Sequence, residues 1–309
     1  MKDGVGTVLA DRKILVTGAS GMLGRALRHL LSSRNELTGV SKSGRDGIQA
    51  CDLSKSEEIT QVFEAKKPDL VINAAAYSDV DGCERDPGKA HEANALAVKY
   101  LSGLCGRSGI AFIHISTDYV FDGQKNSPYA ENDTTNPINI YGLTKLEGEY
   151  YAARCESPSA IVRTSWLFGA GNPVNFVNAI AERMKKESVI SVLDDQTDAP
   201  TSVADLSEAI SRIAQRLLSP SRGRDEKESA ELYHVCNSGF STRYGMALKM
   251  KEIMGLKQVQ VLRAERKSVR GPLAALRPPY AVMSNRHFEQ VFGIKLRSSE
   301  ESLKEYLLN

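Results

Sequence analysis

The sequence predicts an α/β fold, in which a doubly wound parallel sheet is followed by a smaller C-terminal α/β lobe. Short β-rich apolar runs alternate with amphipathic helical stretches through the first half of the chain, as in successive βαβ units. Three glycines, Gly18, Gly21 and Gly24, stand between the first predicted strand and the first predicted helix. A glycine turn in this position is typical of Rossmann-type sheets that bind dinucleotides.

The predicted elements of the first half follow one another at the spacing of βαβ units. Ser54 and Glu57 form a capping-box pattern, which predicts the start of a helix that runs to Lys67. Asp86 and Pro87 are typical of another helix start, and the glycines near 106–109 predict where that helix ends. We therefore expect strands at 13–17, 36–41, 69–75, 111–117 and 161–166, with further helices at 21–33 and 141–154.

The second half of the chain alternates less regularly. A charged segment at 221–230 is predicted to be a mobile linker, and Ser298 and Glu301 are a capping pattern for the last helix. We expect residues 11–165 to form a dinucleotide-binding domain, on which a helix near 204–218 packs back. Residues 166–203 and 219–309 are expected to form a smaller substrate-binding lobe.

Composition excludes several classes of protein. The 40 basic and 38 acidic residues leave a formal net charge of +2, and neither sign collects in a long block, which argues against nucleic-acid or membrane-surface binding. The apolar runs fall short of the roughly 20 residues that span a bilayer. The five cysteines are scattered, so we expect reduced thiols in a cytoplasmic protein. We predict no catalytic metal, and leave open a homodimer and a structural cation at a subunit contact.

The glycine turn is the first candidate binding site. Glycine allows positive φ and close approach of the backbone, and the N-terminus of the following helix attracts an anion such as a pyrophosphate. The spacing here is GxxGxxG. We predict that this turn binds a dinucleotide through Gly18, Ser20, Gly21, Met22, Leu23 and Gly24.

The end of the second predicted strand indicates which dinucleotide is bound. An acidic side chain there would bind the ribose diol of NAD, but the chain reads Ser41, Lys42, Ser43, Gly44, Arg45. Ser41, Lys42 and Arg45 offer a hydroxyl and cations to a 2′-phosphate, which favours NADPH and leaves NADH as an alternative. Asp52 and Leu53, after the next apolar step, are expected beside the adenine.

The second candidate site is Tyr141 with Lys145, whose i, i+4 spacing puts phenol and ammonium on one face of a helix. Together with the glycine turn it completes a set of motifs that resembles the extended short-chain dehydrogenase/reductases, and over nearly the whole chain the dTDP-4-dehydrorhamnose reductase family. The motifs that carry the resemblance are VTGASGMLG at 16–24, NAAAYSDVDGCE at 73–84, STDYVFDG at 116–123, NIYGLTK at 139–145, RTSW at 163–166 and DDQTDAPT at 194–201.

The resemblance implies an NADPH-dependent oxidoreductase of dTDP-rhamnose biosynthesis, which reduces the 4-keto group of dTDP-4-dehydro-L-rhamnose to give dTDP-L-rhamnose. It implies that Tyr141 donates the proton, that Lys145 holds the nicotinamide ribose and assists Tyr141, and that Thr117 hydrogen-bonds the substrate carbonyl. A free phenol has a pKa of about 10, so we expect the nearby cation to lower the pKa of Tyr141. We also expect small residues beside the cofactor, namely Ala74, Ala75 and Ala76, together with Tyr77.

Substrate contacts are predicted on the C-terminal side. A carboxylate accepts sugar hydroxyl protons and an indole packs on a pyranose face, which makes Asp118 and Trp166 the first candidates. For the nucleotide-diphosphate end we expect Asn175, Gln196, Thr201 and Arg277. The chain departs from the family pattern in carrying Asp198 where glycine is usual and Ala281 where serine is common.

Two alternatives stay open. The same motifs resemble the regulatory subunit of methionine adenosyltransferase, a non-catalytic partner that keeps the dinucleotide site. Thr117 and the RTSW motif at 163–166 favour the enzyme, because that subunit has serine at the first position and does not keep the second. The other alternative is an epimerase or reductase that acts on another nucleotide sugar.

Overall fold

The structure is a computed structural model that describes residues 9–171, 175–219, 230–264 and 275–309. Most of the predicted linker at 221–230 therefore lies outside the described residues. The described strands are β1 (Lys13–Thr17), β2 (Glu36–Ser41), β3 (Gln49–Ala50), β4 (Leu70–Asn73), β5 (Ala111–Thr117), β6 (Ser159–Thr164), β7 (Leu167–Phe168), β8 (Val189–Leu193), β9 (Thr197–Asp198), β10 (Thr201–Ser202), β11 (Glu231–His234), β12 (Ser241–Thr242) and β13 (Gln260–Ala264).

The helices lie between these strands, and one of them is preceded by an unusual π-helical turn at Glu92–Leu96. A short 3₁₀ turn at Asp118–Val120 follows β5. The α-helices are α1 (Met22–Leu31), α2 (Ser56–Lys66), α3 (Val80–Arg85), α4 (Pro87–His91), α5 (Ala97–Ser108), α6 (Ile140–Ala152), α7 (Phe176–Lys186), α8 (Val203–Leu217), α9 (Arg243–Ile253), α10 (Arg286–Phe292) and α11 (Ser299–Leu308).

The centre of the molecule is a seven-stranded sheet in the order β11-β6-β5-β4-β1-β2-β3. Every neighbouring pair in it is parallel. The predicted Rossmann-type, doubly wound parallel sheet is therefore confirmed. The register pairs Thr17 with Asn73 and Thr117 with Thr164, so the carboxyl ends of the central strands lie along one edge.

Apolar helices cover both faces of this sheet. On one face, Leu23 and Leu27 of α1 pack with Leu206 and Ile210 of α8 in the same cluster as the sheet residues. On the other face, α2 and α5 bury apolar side chains against the sheet. All seven residues of β5 are buried, because this strand lies between the two helical layers.

The C-terminal part forms a second core around small sheets. The pairs β7–β10 and β8–β13 are parallel, whereas β9–β12 is antiparallel. Helices α7, α9 and α11 pack their apolar residues into one cluster with β8 and β13. The strand β11, which the domain prediction assigned to this lobe, instead pairs with β6 at the edge of the central sheet.

Local signals predicted some helix ends and missed others. Asp86 caps α4 through the backbone N–H of Lys89, and Ser298 with Glu301 forms the expected capping box of α11. The capping box predicted at Ser54 is wrong, since the helix begins at Ser56. The Ser54 hydroxyl donates to Asp52 over 2.9 Å instead. Among the described residues no helix combines the length and apolar character needed to cross a membrane.

A buried ion pair joins α6 to the sheet. The guanidinium of Arg163 on β6 donates to both carboxylate oxygens of Glu149 over 2.9 and 2.7 Å, and Ser116 on β5 donates to the same carboxylate over 2.5 Å. The two charged side chains are 5% and 7% exposed. Such a pair holds the helix in place, but either charge alone would be buried without compensation.

We expect Arg163→Met to lower the free energy of unfolding by about 3–5 kcal/mol, because it leaves the carboxylate of Glu149 buried without its partner. Urea unfolding measures this change. Arg183→Met is the matched control. It breaks the exposed pair with Glu187, whose side chains are 41% and 43% exposed and which water screens. Equal shifts of the urea midpoint in the two variants would show that the buried pair has no special role.

Candidate functional site

A cavity of about 630 Å³ opens where the carboxyl ends of the central strands meet. Its walls come from the segments that follow β1 to β6, together with residues of α4, the π-helical turn and α6. The predicted site residues that line it are Gly18, Ser20, Gly21, Met22, Leu23, Gly24, Ser41, Lys42, Asp52, Leu53, Ala74, Ala75, Ala76, Tyr77, Thr117, Asp118, Tyr141, Lys145 and Trp166. Five of the six motifs, all except that at 194–201, thus contribute residues to one cavity.

The glycine turn allows three elements to approach closely. Gly18 has φ +63°, and a Cβ there would lie 2.7 Å from the carbonyl carbon of Ala74. A Cβ at Gly24 would lie 2.2 Å from the carbonyl oxygen of Gly18. Gly21 is the N-cap residue of α1. Among the described residues, no side chain caps this helix end, and no acidic residue stands in its first turn. The cavity therefore meets a helix N-terminus that suits a diphosphate.

The expected phosphate-binding cations are arranged unequally around this end of the cavity. Lys42 lines it and forms an ion pair with Asp52 over 2.8 Å. The hydrogen bond from Lys42 is the main reason that the pKa of Asp52 is lowered to about 2. The exposed Arg45 stands outside the described lining of the cavity. Lys42 is consequently better placed than Arg45 for a ligand in the cavity.

Polar groups converge at the other end of the cavity. The hydroxyls of Thr117 and Ser165 donate to the two carboxylate oxygens of Asp118 over 2.9 and 2.6 Å. Burial raises the pKa of Asp118 to about 6, although these two hydrogen bonds act in the opposite direction. Tyr141 lies edge-on to Tyr119, with ring centroids 5.7 Å apart. The reactive end thus combines a phenol, a hydroxyl and a buried carboxyl group.

The predicted effect of Lys145 on Tyr141 is wrong for this structure. Burial raises the pKa of the Tyr141 phenol, and the hydrogen bond with Thr117 opposes that rise only in part. The Lys145 ammonium donates to the carbonyl of Ile115 over 2.6 Å, and Lys145 is not among the main groups that shift the pKa of the phenol. Burial also lowers the pKa of Lys145 to about 8, against the attraction of Glu149.

Of the predicted sugar contacts, Trp166 and Asp118 line the cavity. Trp166 has φ +40°, packs edge-on to Phe176 with centroids 5.4 Å apart, and carries the guanidinium of Arg243 over its ring at 5.2 Å. Its backbone conformation ends the preceding strand, which is why β6 stops at Thr164 and not at the predicted residue 166. The indole is held between two neighbours at the rim of the site.

The other predicted substrate residues lie outside the described lining of this cavity. Gln196 donates to the Tyr119 hydroxyl over 2.8 Å and to Asp198 over 3.2 Å. The Thr201 hydroxyl donates to a backbone carbonyl over 3.0 Å. Gln196 therefore contacts the end of the cavity near Tyr141 through Tyr119.

Two further predicted contacts have structural partners. Asn175 caps α7 and donates to the carbonyl of Gly169 over 3.2 Å. The guanidinium of Arg277 contacts Asp81 over 3.1 Å and the carbonyl of Ala275 over 2.9 Å. Contact of these two side chains with substrate stays a prediction.

The sequence analysis missed Asn94, which lies in the π-helical turn. Its side-chain oxygen accepts from the backbone N–H of Tyr77 over 2.8 Å, and its amide donates to the carbonyl of Tyr77 over 3.1 Å and to Thr144 over 3.2 Å. This residue therefore ties the loop after β4 to α6. Ser165 was also not predicted as a site residue, although it stands within the RTSW motif at 163–166.

The part of the chain that the structure describes contains no cluster of metal-binding side chains. Within it, no three His, Cys, Asp or Glu side chains come together so as to hold an ion. The five cysteines are buried as free thiols.

Comparisons with known proteins agree with this arrangement. The sequence profile of the RmlD substrate binding domain matches residues 12–309. The chain is 34% identical over 297 residues to the spore coat polysaccharide biosynthesis protein SpsK of Bacillus subtilis, covering 96% of each chain. It is 33% identical over 290 residues to a dTDP-4-dehydrorhamnose reductase of Burkholderia thailandensis, covering 92% of this chain and 94% of that one.

A solved structure shows the same fold. The crystal structure of dTDP-4-dehydrorhamnose reductase from Bacillus anthracis, in complex with NADP, superposes with a TM-score of 0.86 at 30% identity. The match covers 96% of this chain and 99% of that chain. The predicted resemblance is confirmed, and the chain belongs to the dTDP-4-dehydrorhamnose reductase family of NAD(P)H-dependent oxidoreductases.

Proposed function

We propose that this protein uses NADPH to reduce the 4-keto group of dTDP-4-dehydro-L-rhamnose to the alcohol of dTDP-L-rhamnose. The observation that carries the proposal is the single cavity that joins the glycine turn at Gly18 to the hydroxyls of Thr117 and Tyr141. A dinucleotide bound at the turn and a carbonyl near the hydroxyls would share that cavity. The names and cofactors of the relatives support the same reaction.

The residues around the turn suit a phosphorylated dinucleotide. The N-terminus of α1 and the close glycine contacts would hold the diphosphate, and Ser41 and Lys42 would bind the 2′-phosphate. Ala74, Ala75 and Ala76 leave room for a flat ring along the loop after β4. The reduced nicotinamide supplies the hydride that the keto carbon accepts.

The chain itself provides the proton and stabilises the developing charge. Negative charge grows on the carbonyl oxygen as its carbon is reduced, and the hydroxyl of Tyr141 is the donor at that end of the cavity. The Thr117 hydroxyl becomes a second donor when its proton turns from Asp118 to the substrate oxygen. Tyr141 then transfers its proton to this oxygen, which completes the alcohol. Burial raises the pKa of Tyr141, so the phenol is protonated at neutral pH. The alkoxide that reduction produces is a stronger base than a phenolate and can therefore take this proton.

The sugar would lie between the reactive hydroxyls and Trp166. The indole faces the cavity beside the Thr117–Asp118–Ser165 network, so it can pack on a pyranose ring. Both carboxylate oxygens of Asp118 already accept hydrogen bonds. We therefore propose that Asp118 orients the hydroxyl of Thr117, in addition to making the sugar contact expected from the sequence.

The alternatives predict different behaviour in the same assay. A regulatory subunit of methionine adenosyltransferase would bind NADPH without oxidising it, whereas an epimerase would return its cofactor to the starting state. Either result, obtained across several nucleotide keto sugars, would contradict the proposed reduction. The first result would direct the search to a bound adenosyltransferase.

Tyr141→Phe should lower turnover of dTDP-4-dehydro-L-rhamnose by about 10²–10⁴-fold, because the variant lacks the proton donor. Affinity for NADPH should stay nearly unchanged, since the hydroxyl acts on the carbonyl. Loss of absorbance of the reduced nicotinamide measures turnover, and fluorescence titration measures affinity. Tyr150→Phe, at an exposed position of the same helix, is the matched control and should behave like the wild type. Undiminished turnover in Tyr141→Phe would eliminate the proposed acid.

Cofactor preference tests the phosphate contact. We expect higher kcat/KM with NADPH than with NADH, and expect Lys42→Ala to reduce this preference roughly tenfold by removing a charge-assisted hydrogen bond. Arg45→Ala is the comparison, and its effect should be smaller because Arg45 lies outside the cavity lining. Equal kcat/KM for the two cofactors in the wild type would refute the assignment of the 2′-phosphate site.

A further inference from the structure

A chain of four buried polar side chains runs from β1 to the catalytic lysine. The hydroxyl of Thr17 donates to the side-chain oxygen of Asn73 over 2.6 Å, and the amide nitrogen of Asn73 lies 3.1 Å from Nδ1 of His114. On the other side of the ring, Nε2 lies 3.4 Å from Nζ of Lys145. The four residues are 0%, 1%, 0% and 2% exposed, so the chain is closed to bulk water.

The sheet register places the first three residues side by side. Thr17 pairs with Asn73 between β1 and β4, and Asn73 pairs with His114 between β4 and β5. Residues in one register row of a parallel sheet project to the same face, which brings their side chains into contact. The contacts among these three side chains therefore follow from the sheet register and do not depend on loop conformation.

The hydrogen-bond donors determine which nitrogen of His114 carries the proton. The Thr17 oxygen accepts from the backbone N–H of Ala75 over 3.4 Å, and its own proton is given to the oxygen of Asn73. Asn73 therefore presents its NH₂ group to Nδ1, which must accept. Burial, followed by the charge of Lys145, holds the pKa of His114 well below its usual range. The ring is neutral, and its single proton is on Nε2.

This proton faces Lys145. An ammonium has no lone pair, so only the neutral amine of Lys145 can accept a hydrogen bond from the imidazole. The other contact of Nζ, to the carbonyl of Ile115 at 2.6 Å, can be made by both protonation states, because each retains an N–H. The imidazole is thus the contact that distinguishes the two states of the lysine.

We propose that His114 is a positioning residue whose Nε2–H stabilises the neutral amine of Lys145, so that this lysine can return a proton to Tyr141 after each reduction. In that step an N–H bond of the ammonium breaks and the O–H bond of the phenol forms. The amine then regains a proton from water that enters the cavity, which Lys145 lines, and no electrons are exchanged. The catalytic consequence rests on the proposed function, whereas the tautomer of His114 does not.

Other charges near Lys145 act in known directions. Glu149, one turn along α6, favours the ammonium, and Arg163 from β6 is paired with that carboxylate. The phenol of Tyr141 lies one turn earlier on the same helix. Burial opposes the ammonium and lowers the pKa of Lys145 to about 8. The imidazole N–H acts in the same direction as burial, and His114 is the titratable group of β5 that lies next to the amine, beside the carbonyl of Ile115.

The tautomer can be measured without any assay of activity. In the full chain labelled with ¹⁵N-histidine, long-range ¹H–¹⁵N correlation spectra between pH 7 and 9 should show His114 with a protonated Nε2 and a bare Nδ1. The signals are assigned by their loss in His114→Phe, a variant that retains the ring next to Phe112. A protonated Nδ1 or an imidazolium in the wild type would overturn the proposal.

Asn73→Asp should reverse the direction of the hydrogen bonds on both sides of His114. A carboxylate cannot donate to Nδ1, so it should draw the ring proton there and leave Nε2 to accept from the lysine ammonium. We expect the alkaline limb of the kcat/KM profile to move upward by about one pH unit. Direct attraction between the new carboxylate and the lysine would give the same shift, and Asn73→Asp in the His114→Phe background separates the two causes.

If His114 transmits the effect of residue 73 to Lys145, the shift of the alkaline limb should disappear in the double variant. Equal shifts in the two backgrounds would contradict the proposal. If His114→Phe does not fold, the tautomers of the wild type and of Asn73→Asp still decide the question, with Nδ1 expected to gain the proton in the second. A wild type that turns over no keto sugar would refute the proposed function alone. The spectra would then still test the proposed tautomer of His114.

Discussion

Parallel pairing of β1, β4, β5 and β6 is the constraint on which the rest of the structure depends. It brings the carboxyl ends of these strands to one edge, and the loops that follow them line much of the cavity. Parallel neighbours require crossover connections, and the helices that provide them bury both faces of the sheet. The dry interior that follows from this burial is what perturbs the titration of Asp118 and Lys145.

Helix α6 carries chemistry and stability on the same face. Tyr141, Lys145 and Glu149 follow one another at intervals of four residues, so their side chains project toward the sheet as a column. The first faces the cavity, the second contacts β5, and the third binds Arg163 of β6. The ion pair at the base of the column therefore helps to hold the phenol at its top in position.

The sequence was sufficient to predict features that depend on local patterns. The central strands, the glycine turn and the Tyr141–Lys145 spacing are of this kind, and most of the predicted cofactor residues line one cavity. Tertiary contacts were not predictable in the same way. Such contacts depend on which segments meet in space. Examples are the ion pair between Lys42 and Asp52, the hydrogen bond from Lys145 to Ile115 and the pairing of β11 with β6. A helix cap at Asn175 and a polar contact with substrate favour the same residue type, so the sequence could not separate them.

The π-helical turn at Glu92–Leu96 limits how the length of this segment can change during evolution. An added or removed residue would rotate everything beyond it by about 100° around the helix axis. Asn94 would then lose the backbone of Tyr77 and the hydroxyl of Thr144 together. Substitutions can accumulate on the outer surface of this helix, but insertions and deletions here should be rejected, because they would detach the cofactor-side loop from α6.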